Sequence, residues 1–372
     1  MKAGWETKRL GEIIQLEYGK PLADSDRNPN GLYPAYGANG IKDRTDKFYK
    51  GEPSIIVGRK GSAGEVTLTE EKYWPLDVTF FVEFDRAKYE LQYLYFLLLT
   101  LNLPSMAKGV KPGINRNDVY DITVATPDIE EQRRIVTLLD EAFADIATAK
   151  ANAEKNLQNA RELFSNQLSL ALIPSGPDWV ETTVGETCTL KSGTTVPISI
   201  ERPDGEIPYV KVAEMSMPEN AEGICTSIRF LDRSDVKNGW LIPAGAVIFP
   251  KRGGAILTNK KRLVLREMCA DLNIMSVIPS EVLTPEFLYF YFLNVDMRVL
   301  GTGSSIPQIN NYDIAPLKIS FPKSKEKQVE LTEMLRSIEA ECHSLEAIYR
   351  QKLTALDDLK KSLLHQAFSG QL

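Results

Sequence analysis

Trp5-Glu6-Thr7-Lys8-Arg9-Leu10-Gly11-Glu12 returns in the second half of the chain as Trp179-Val180-Glu181-Thr182-Thr183-Val184-Gly185-Glu186. The echo keeps its order outward from there. Gly19 answers to Gly193 and Pro34 to Pro208. Arg59-Lys60-Gly61 answers to Lys251-Arg252-Gly253, Asp77 to Asp271, and Leu94-Tyr95-Phe96 to Leu288-Tyr289-Phe290. Ile114-Asn115 with Asp118 answers to Ile309-Asn310 with Asp313, and Pro127 to Pro322. Phe164-Ser165-Asn166-Gln167-Leu168 closes the chain again as Phe368-Ser369-Gly370-Gln371-Leu372. A duplication this long excludes a short-period solenoid. It predicts a pseudo-two-fold molecule that reads a two-part target.

Each copy splits into a mixed half and a helical half. In residues 1–127, Ile55-Ile56-Val57, Val66-Thr67-Leu68, Val78 to Val82 and Ile122 to Ala125 read as strands between glycines, and Tyr89 to Leu101 as a helix. Asp128 then offers a helix N-cap, with Glu130 and Glu131 suited to the first turn. No Gly or Pro follows until after Leu172. Ile135, Leu139, Ala142, Ile146, Ala149 and Ala153 alternate by four and three, a heptad seam, and Leu157, Ala160, Phe164 and Leu168 extend it after a slip. Forty-five such residues make a rod of roughly 65 Å. Residues 174–322 repeat the mixed design, with strands at Val247 to Phe249, Leu263 to Leu265, Ile274 to Ile278 and Leu317 to Phe321 and a helix from Pro285 to Leu293. Residues 323–372 repeat the helix, its stripe running through Leu331, Leu335, Ile338, Cys342, Leu345, Tyr349, Leu356, Leu359 and Leu363, with Lys352 as a polar intrusion. A lone amphipathic helix is marginal in water, so each rod needs a partner. The other rod is the simplest one, with Ile135, Leu139, Ile146 and Leu157 meeting Leu335, Ile338, Leu345 and Leu356. The expected fold class is α+β: two repeated α+β domains, residues 1–127 and 174–322, separated by two long antiparallel coiled-coil helices, residues 128–173 and 323–372.

Composition narrows the function. The most apolar stretch, Leu91 to Leu103, is too short to span a bilayer, and nothing at the start reads as a secretory signal. Four scattered cysteines without Cys-x-x-Cys fit reduced thiols in a cytoplasmic protein better than a disulfide or zinc framework. The phosphate-binding Gly-x-x-x-x-Gly-Lys loop is missing, as is any Pro-Pro pair for an amino-methyltransferase loop. The net charge is −6; residues 1–127 set 17 basic against 17 acidic groups and residues 174–322 set 14 against 17. A DNA-binding role would therefore carry a modest counterion-release term of its own, with a partner supplying much of the non-specific affinity.

The duplicated order of these motifs resembles the specificity subunit of type I restriction–modification systems (HsdS), over essentially the whole chain. The residues that carry the likeness are the Trp5 and Trp179 openings, Ile114-Asn115 leading to Pro127, Glu131-Gln132-x-x-Ile135, and Phe368 to Leu372. The resemblance implies target-recognition domains and conserved spacer helices. It implies a non-catalytic chain whose domains each read one half of an asymmetric bipartite site in double-stranded DNA. It also implies two methyltransferase subunits bringing S-adenosylmethionine and restriction–translocase subunits using ATP and Mg. The helices would set the spacer and dock the methyltransferase. The second copy departs from the first: Glu131-Gln132 becomes Lys327-Gln328, and Gly37 to Gly40 has no counterpart in Val210 to Ala213. The latter fits two domains that read different sequences.

Arg and Lys hold phosphates, while Arg, Lys, Asn and Gln also read base edges. Arg59, Lys60 and Ser62, and Lys251 and Arg252, follow apolar strands where glycine permits close backbone approach. Lys108 and Lys111, and Ser304 within Gly301 to Ser305, stand before the Ile-Asn motif, and Arg116 and Asn311 follow it. Lys260 and Lys261 lie in the densest basic run. These are the candidate DNA contacts; Asn115 and Asn310 read as capping or turn residues first. A helical scaffold without a DNA role is the alternative, and it predicts no sequence preference in a binding assay. A self-contained modification enzyme would bind its cofactor as a pure chain.

Overall fold

The computed structural model describes residues 4–300 and 307–372. Contacts divide the chain into two compact units, residues 1–155 with 350–372, and residues 156–349. Both long helices therefore contribute to both units.

In the first unit, β1 (Glu6–Arg9), β2 (Ile14–Tyr18), β3 (Tyr33–Gly37), β4 (Gly40–Thr45), β5 (Ser54–Gly58), β6 (Val66–Thr69), β7 (Trp74–Pro75) and β8 (Thr79–Phe84) precede helix α1 (Leu91–Thr100), the short α2 (Arg116–Tyr120) and β9 (Thr123–Thr126). A four-stranded sheet has the order β2-β8-β5-β6, a three-stranded sheet the order β4-β3-β7, and β1 pairs with β9. The helix α3 (Ile129–Ala171) follows.

The second unit repeats this. It holds β10 (Trp179–Thr183), α4 (Val184–Thr187), β11 (Cys188–Ser192), β12 (Ile207–Val210), β13 (Phe230–Leu231), β14 (Leu241–Ile242), β15 (Val247–Pro250), β16 (Arg262–Leu263), β17 (Met268–Ala270), β18 (Ile274–Pro279), α5 (Pro285–Asn294), α6 (Asn311–Ile314) and β19 (Lys318–Pro322), with α7 (Lys325–Ser369) after them. Its main sheet, β11-β18-β15-β16, matches β2-β8-β5-β6 strand for strand, and β10 pairs with β19 as β1 does with β9. The copies part after β3 and β12. A β3–β4 hairpin turns at Gly37 to Gly40, whereas β12 runs into short 3-10 turns at Glu214–Ser216 and Pro218–Asn220. Short strands such as β13 and β14 carry only two residues each and leave no period to read.

The repeated motifs turn out to be framework. Leu10 and Val184 are fully buried, and their N–H groups donate to Ile122 O (2.8 Å) and Leu317 O (2.9 Å). Glu12 and Glu186 reach back to the N–H groups of Arg9 and Thr183, closing equivalent capping boxes. A Cβ on Gly11 would stand 2.8 Å from Tyr120 Cβ, and one on Gly185 2.9 Å from Ala315 Cβ. The aromatic helices α1 and α5 fill the cores. Phe287, Phe290 and Phe292 are fully buried, each stabilising by roughly 1.5–3 kcal/mol.

Gln132 and Gln328 are fully buried and clamp the start of each long helix. The Gln132 side chain accepts from Glu90 N (3.0 Å) and donates to Lys88 O (3.1 Å) and Pro127 O (2.9 Å). Gln328 accepts from Thr284 N (2.8 Å) and donates to Val282 O (2.9 Å) and Pro322 O (2.8 Å). Each residue thus ties the long helix to the N-terminal end of an aromatic helix, whose N-caps are Glu90 and Thr284.

The helix pairing is antiparallel within each unit. Arg134 donates to Leu372 O (3.0 Å) and Lys150 pairs with Asp357 (2.7 Å) in the first unit; Arg161 pairs with Glu346 (3.1 Å) in the second. Ile135, Leu139 and Ile146 are buried, Leu157 is half-buried, and Ala153 and Ala160 are closed from solvent. The phenylalanines near the helix C-termini pack against the aromatic helices, Phe368 tilted on Tyr93 (5.1 Å between centroids) and Phe164 edge-on to Phe290 (6.5 Å). On α7 the expected stripe needs correction. Leu335, Cys342, Tyr349, Leu356 and Leu363 face inward, and Ile338 is half-buried, but Leu345 is 37% and Leu359 46% exposed. Half-buried positions between them lie four residues on, at Glu346 and Leu353, while the next one, Lys360, is exposed with its ammonium over the Phe143 ring (4.7 Å). Glu346 fills its place with its stem, which a search for apolar residues overlooks. Lys352 accordingly lies outside the seam.

Candidate nucleic-acid interface

Strand β2 ends at Tyr18, paired with Phe80, and β5 ends at Gly58, paired with Thr79, so both open onto one end of the first main sheet. A Cβ on Gly58 would meet Ser62 O at 2.2 Å, so the Arg59–Ser62 turn folds tightly back over a position only glycine fits. Arg59 O accepts from Ile114 N (3.1 Å) and Gly61 N donates to Pro112 O (2.9 Å), docking the turn on the segment before α2. Lys108 and Gly113 close a small loop with paired backbone bonds, leaving Val110 and Lys111 at its exposed tip. Asn115 caps α2 by accepting from Asn117 N (3.0 Å). The structure therefore brings Arg59, Lys60, Ser62, Lys108, Lys111 and Arg116 together. Lys60 and Lys111 are exposed without an ion-pair partner among the described residues, while Lys108 pairs with Asp118 (3.1 Å).

The second unit builds the same backbone. Lys251 O accepts from Ile309 N (2.9 Å) and Gly253 N donates to Pro307 O (2.8 Å). Asn310 caps α6 in a capping box with Asp313, and Asn311 is exposed beside it. Arg252 is also exposed. The side chains differ from those of the first unit. Ser192 stands where Tyr18 does, and Lys251 turns inward, 7% exposed, to donate to Ser192 Oγ (2.6 Å). Burial, then the Arg252 charge, lowers its pKa. Lys251 is thus a bracing group rather than a phosphate ligand. Lys260 bonds Ser216 Oγ. Ser304 lies outside the described residues.

Lys261 requires a full correction. It is 2% exposed and its ammonium donates to Val295 O (2.6 Å) and Asn259 Oδ1 (2.7 Å), so it braces the core behind the turn and reaches no ligand. Burial pushes its pKa down to about 8. The unfolded chain holds that proton up to the ordinary value near 10.4. Between these values the unfolded state binds more protons, so stability rises with pH across the window. Lys261→Met should remove a rise on the order of 3 kcal/mol. Urea unfolding of both chains at pH 7.5 and 10.5 measures it; a wild-type-to-variant difference that ignores pH would show that Lys261 folds in its ordinary charged state.

Sequence reading missed Tyr18, 48% exposed, whose ring lies 5.2 Å from the Arg59 guanidinium and 5.1 Å from that of Arg116. The available signal was an aromatic residue at a strand end, next to the repeated Gly19. No helix among the described residues is long and apolar enough to cross a membrane.

The chain is 23% identical over 169 residues to the EcoprrI specificity subunit of Escherichia coli, covering 42% of each. It is 27% identical over 172 residues to the EcoDI specificity subunit of the same species, covering 45% of this chain and 38% of that one. It thus spans less than half the length of these two relatives. The MjaIX specificity subunit of Methanocaldococcus jannaschii is 24% identical over 262 residues, 62% of this chain and 58% of its own. The fold is similar to a chain in a structural study of assembly and conformational transition of the type I R-M system (TM-score 0.80, 17% identity, 100% of this chain and 99% of that one). It is also similar to the HsdS subunit from Thermoanaerobacter tengcongensis (TM-score 0.63, 17% identity, 100% and 98%). The sequence profile of the type I restriction modification DNA specificity domain matches residues 2–157 and 177–355, on two copies of one framework that differ in the side chains at their turns, and the chain belongs to that family.

Proposed function

We propose that this chain is the DNA sequence-specificity subunit of a type I restriction–modification complex, each domain reading one half of an asymmetric, bipartite duplex site. One observation carries the reading. The turns at Arg59 to Gly61 and Lys251 to Gly253 have the same backbone bonds and different side chains. Backbone bonds place a turn, and side chains select a base. The chain itself is non-catalytic. Two methyltransferase subunits supply S-adenosylmethionine and methylation, and restriction–translocase subunits supply ATP- and Mg-dependent cleavage, in the cytoplasm. The helices α3 and α7, continuous through both units, set the gap between half-sites and dock the methyltransferase.

The test replaces residues 1–127 by the matching domain of a related subunit. The methylated-adenine map of cells carrying the whole system should change in one half of the site and keep the other. A change in both halves, or in neither, would overturn the assignment.

A further inference from the structure

Tyr18, Arg59 and Arg116 form a stack that nothing in the framework requires. Their strand end is already closed beneath by Phe80, whose ring centroid lies 5.1 Å from that of Tyr18. Arg59 is also held from behind: its Nε and Nη2 both donate to Asp77 O, at 3.1 and 2.6 Å. Those bonds occupy one edge of the guanidinium. The other edge, Nη1 with the second Nη2 hydrogen, has no partner among the described residues. Arg116 lies against the same ring, with Nη1 3.5 Å from Leu16 O. Lys60 and Lys111 beside the stack already supply mobile positive charges that can hold phosphates. An arginine fixed on its face and along one edge suits a different task. Its remaining fork matches the O6 and N7 acceptors of guanine in the major groove.

We propose that Arg59 reads a guanine in the half-site of the first domain, with Tyr18 as the positioning residue that fixes its plane and Arg116 completing the stack. This rests on the DNA-specificity reading above and adds which residue reads which base. The second domain carries Ser192, Lys251 and Asn311 at the equivalent positions and cannot build the stack, so its half-site is read by other means.

The experiment uses the full chain with its partner subunits for methylation mapping, and the full chain alone on a randomised duplex pool. Arg59→Lys keeps the charge and loses the fork. Discrimination at one guanine should fall roughly 10- to 100-fold, while the other positions and the salt dependence stay as they were. Tyr18→Phe should match the wild type, and Tyr18→Leu should relax the same guanine alone. Unchanged base preference in Arg59→Lys would overturn the proposal, as would equal weakening on every sequence, the mark of a phosphate contact. A domain exchange that moves one half-site beside a silent Arg59→Lys would sink this inference and leave the broader reading standing.

Discussion

Gly193→Ala should unfold the globular part of the second unit at ordinary temperature. A Cβ at this position would stand 2.1 Å from Asp271 O and 2.5 Å from Ala270 O. Neither side can retreat cheaply. Gly193 N donates to Ile274 O (2.9 Å) and Thr194 N to Ala270 O (2.8 Å), while Asp271 N donates to Val210 O (2.9 Å) and so ties the carbonyl's segment to the neighbouring sheet. Relief would break several of these bonds, and we expect a loss above about 4 kcal/mol, in the range reserved for severe core overpacking and strain. Native-state hydrogen exchange should show protection lost across residues 179–322 and kept across residues 5–126. Gly19→Ala should give the mirror result, since its Cβ would meet Leu76 O at 2.1 Å. Gly254→Ala is the control: nothing lies within 4 Å of its Cβ. An unfolding midpoint for Gly193→Ala equal to that of Gly254→Ala would refute the account.

Gln328→Leu is expected to have the next largest effect. Leucine fills a similar volume but makes none of the three bonds, leaving Thr284 N, Val282 O and Pro322 O without this partner in a closed site. Each orphaned group costs about 1–3 kcal/mol, and partial relaxation should hold the total near 3–5 kcal/mol. For a unit of this size that corresponds to a fall in Tm of about 10 °C. Gln328→Glu should do no better: it keeps an acceptor, loses both donated bonds and confines a charge. Calorimetry on the full chain reads both. A Tm within 2 °C of wild type for Gln328→Leu would mean that water or a neighbour replaces the clamp.

The repeat and the element order were legible because they rest on strong local signals: a tryptophan opening, glycines at close approaches, and helices starting just beyond Pro127 and Pro322. Strand β5 and helix α5 were readable from apolar runs and a helix-starting Pro285. The long-helix seam was half legible. Leu335, Cys342, Tyr349 and Leu356 obey the apolar alternation, but Glu346 occupies a half-buried position through its stem, so Leu345 was taken in its place. The two equivalent turns were located by the repeated basic pairs. Which lysines face solvent was not readable. Lys60 and Lys251 sit in neighbouring registers of the same turn, and only the serine at position 192 in place of a tyrosine draws Lys251 inward. Lys261 looked like part of an exposed basic run, yet it satisfies Val295 O inside the core. In the pair that opens each long helix, Glu131 against Lys327 drew attention as a departure. The glutamine beside it, common to both, makes the buried bonds.

The neutrality of Gln132 and Gln328 bears on ionic strength. Binding of a protein to duplex DNA falls steeply with added salt, by a slope of about −0.9 per neutralised phosphate. An exposed ion pair at the junction of fold and helix is weak and loses further strength as salt is added. The second junction does carry one such pair, Lys327 with Asp178 (2.8 Å), but the bonds of Gln132 and Gln328 are amide hydrogen bonds in fully buried sites. On the proposed function, salt would change how tightly the two equivalent turns hold a duplex while leaving the buried glutamine clamps at the start of each long helix intact.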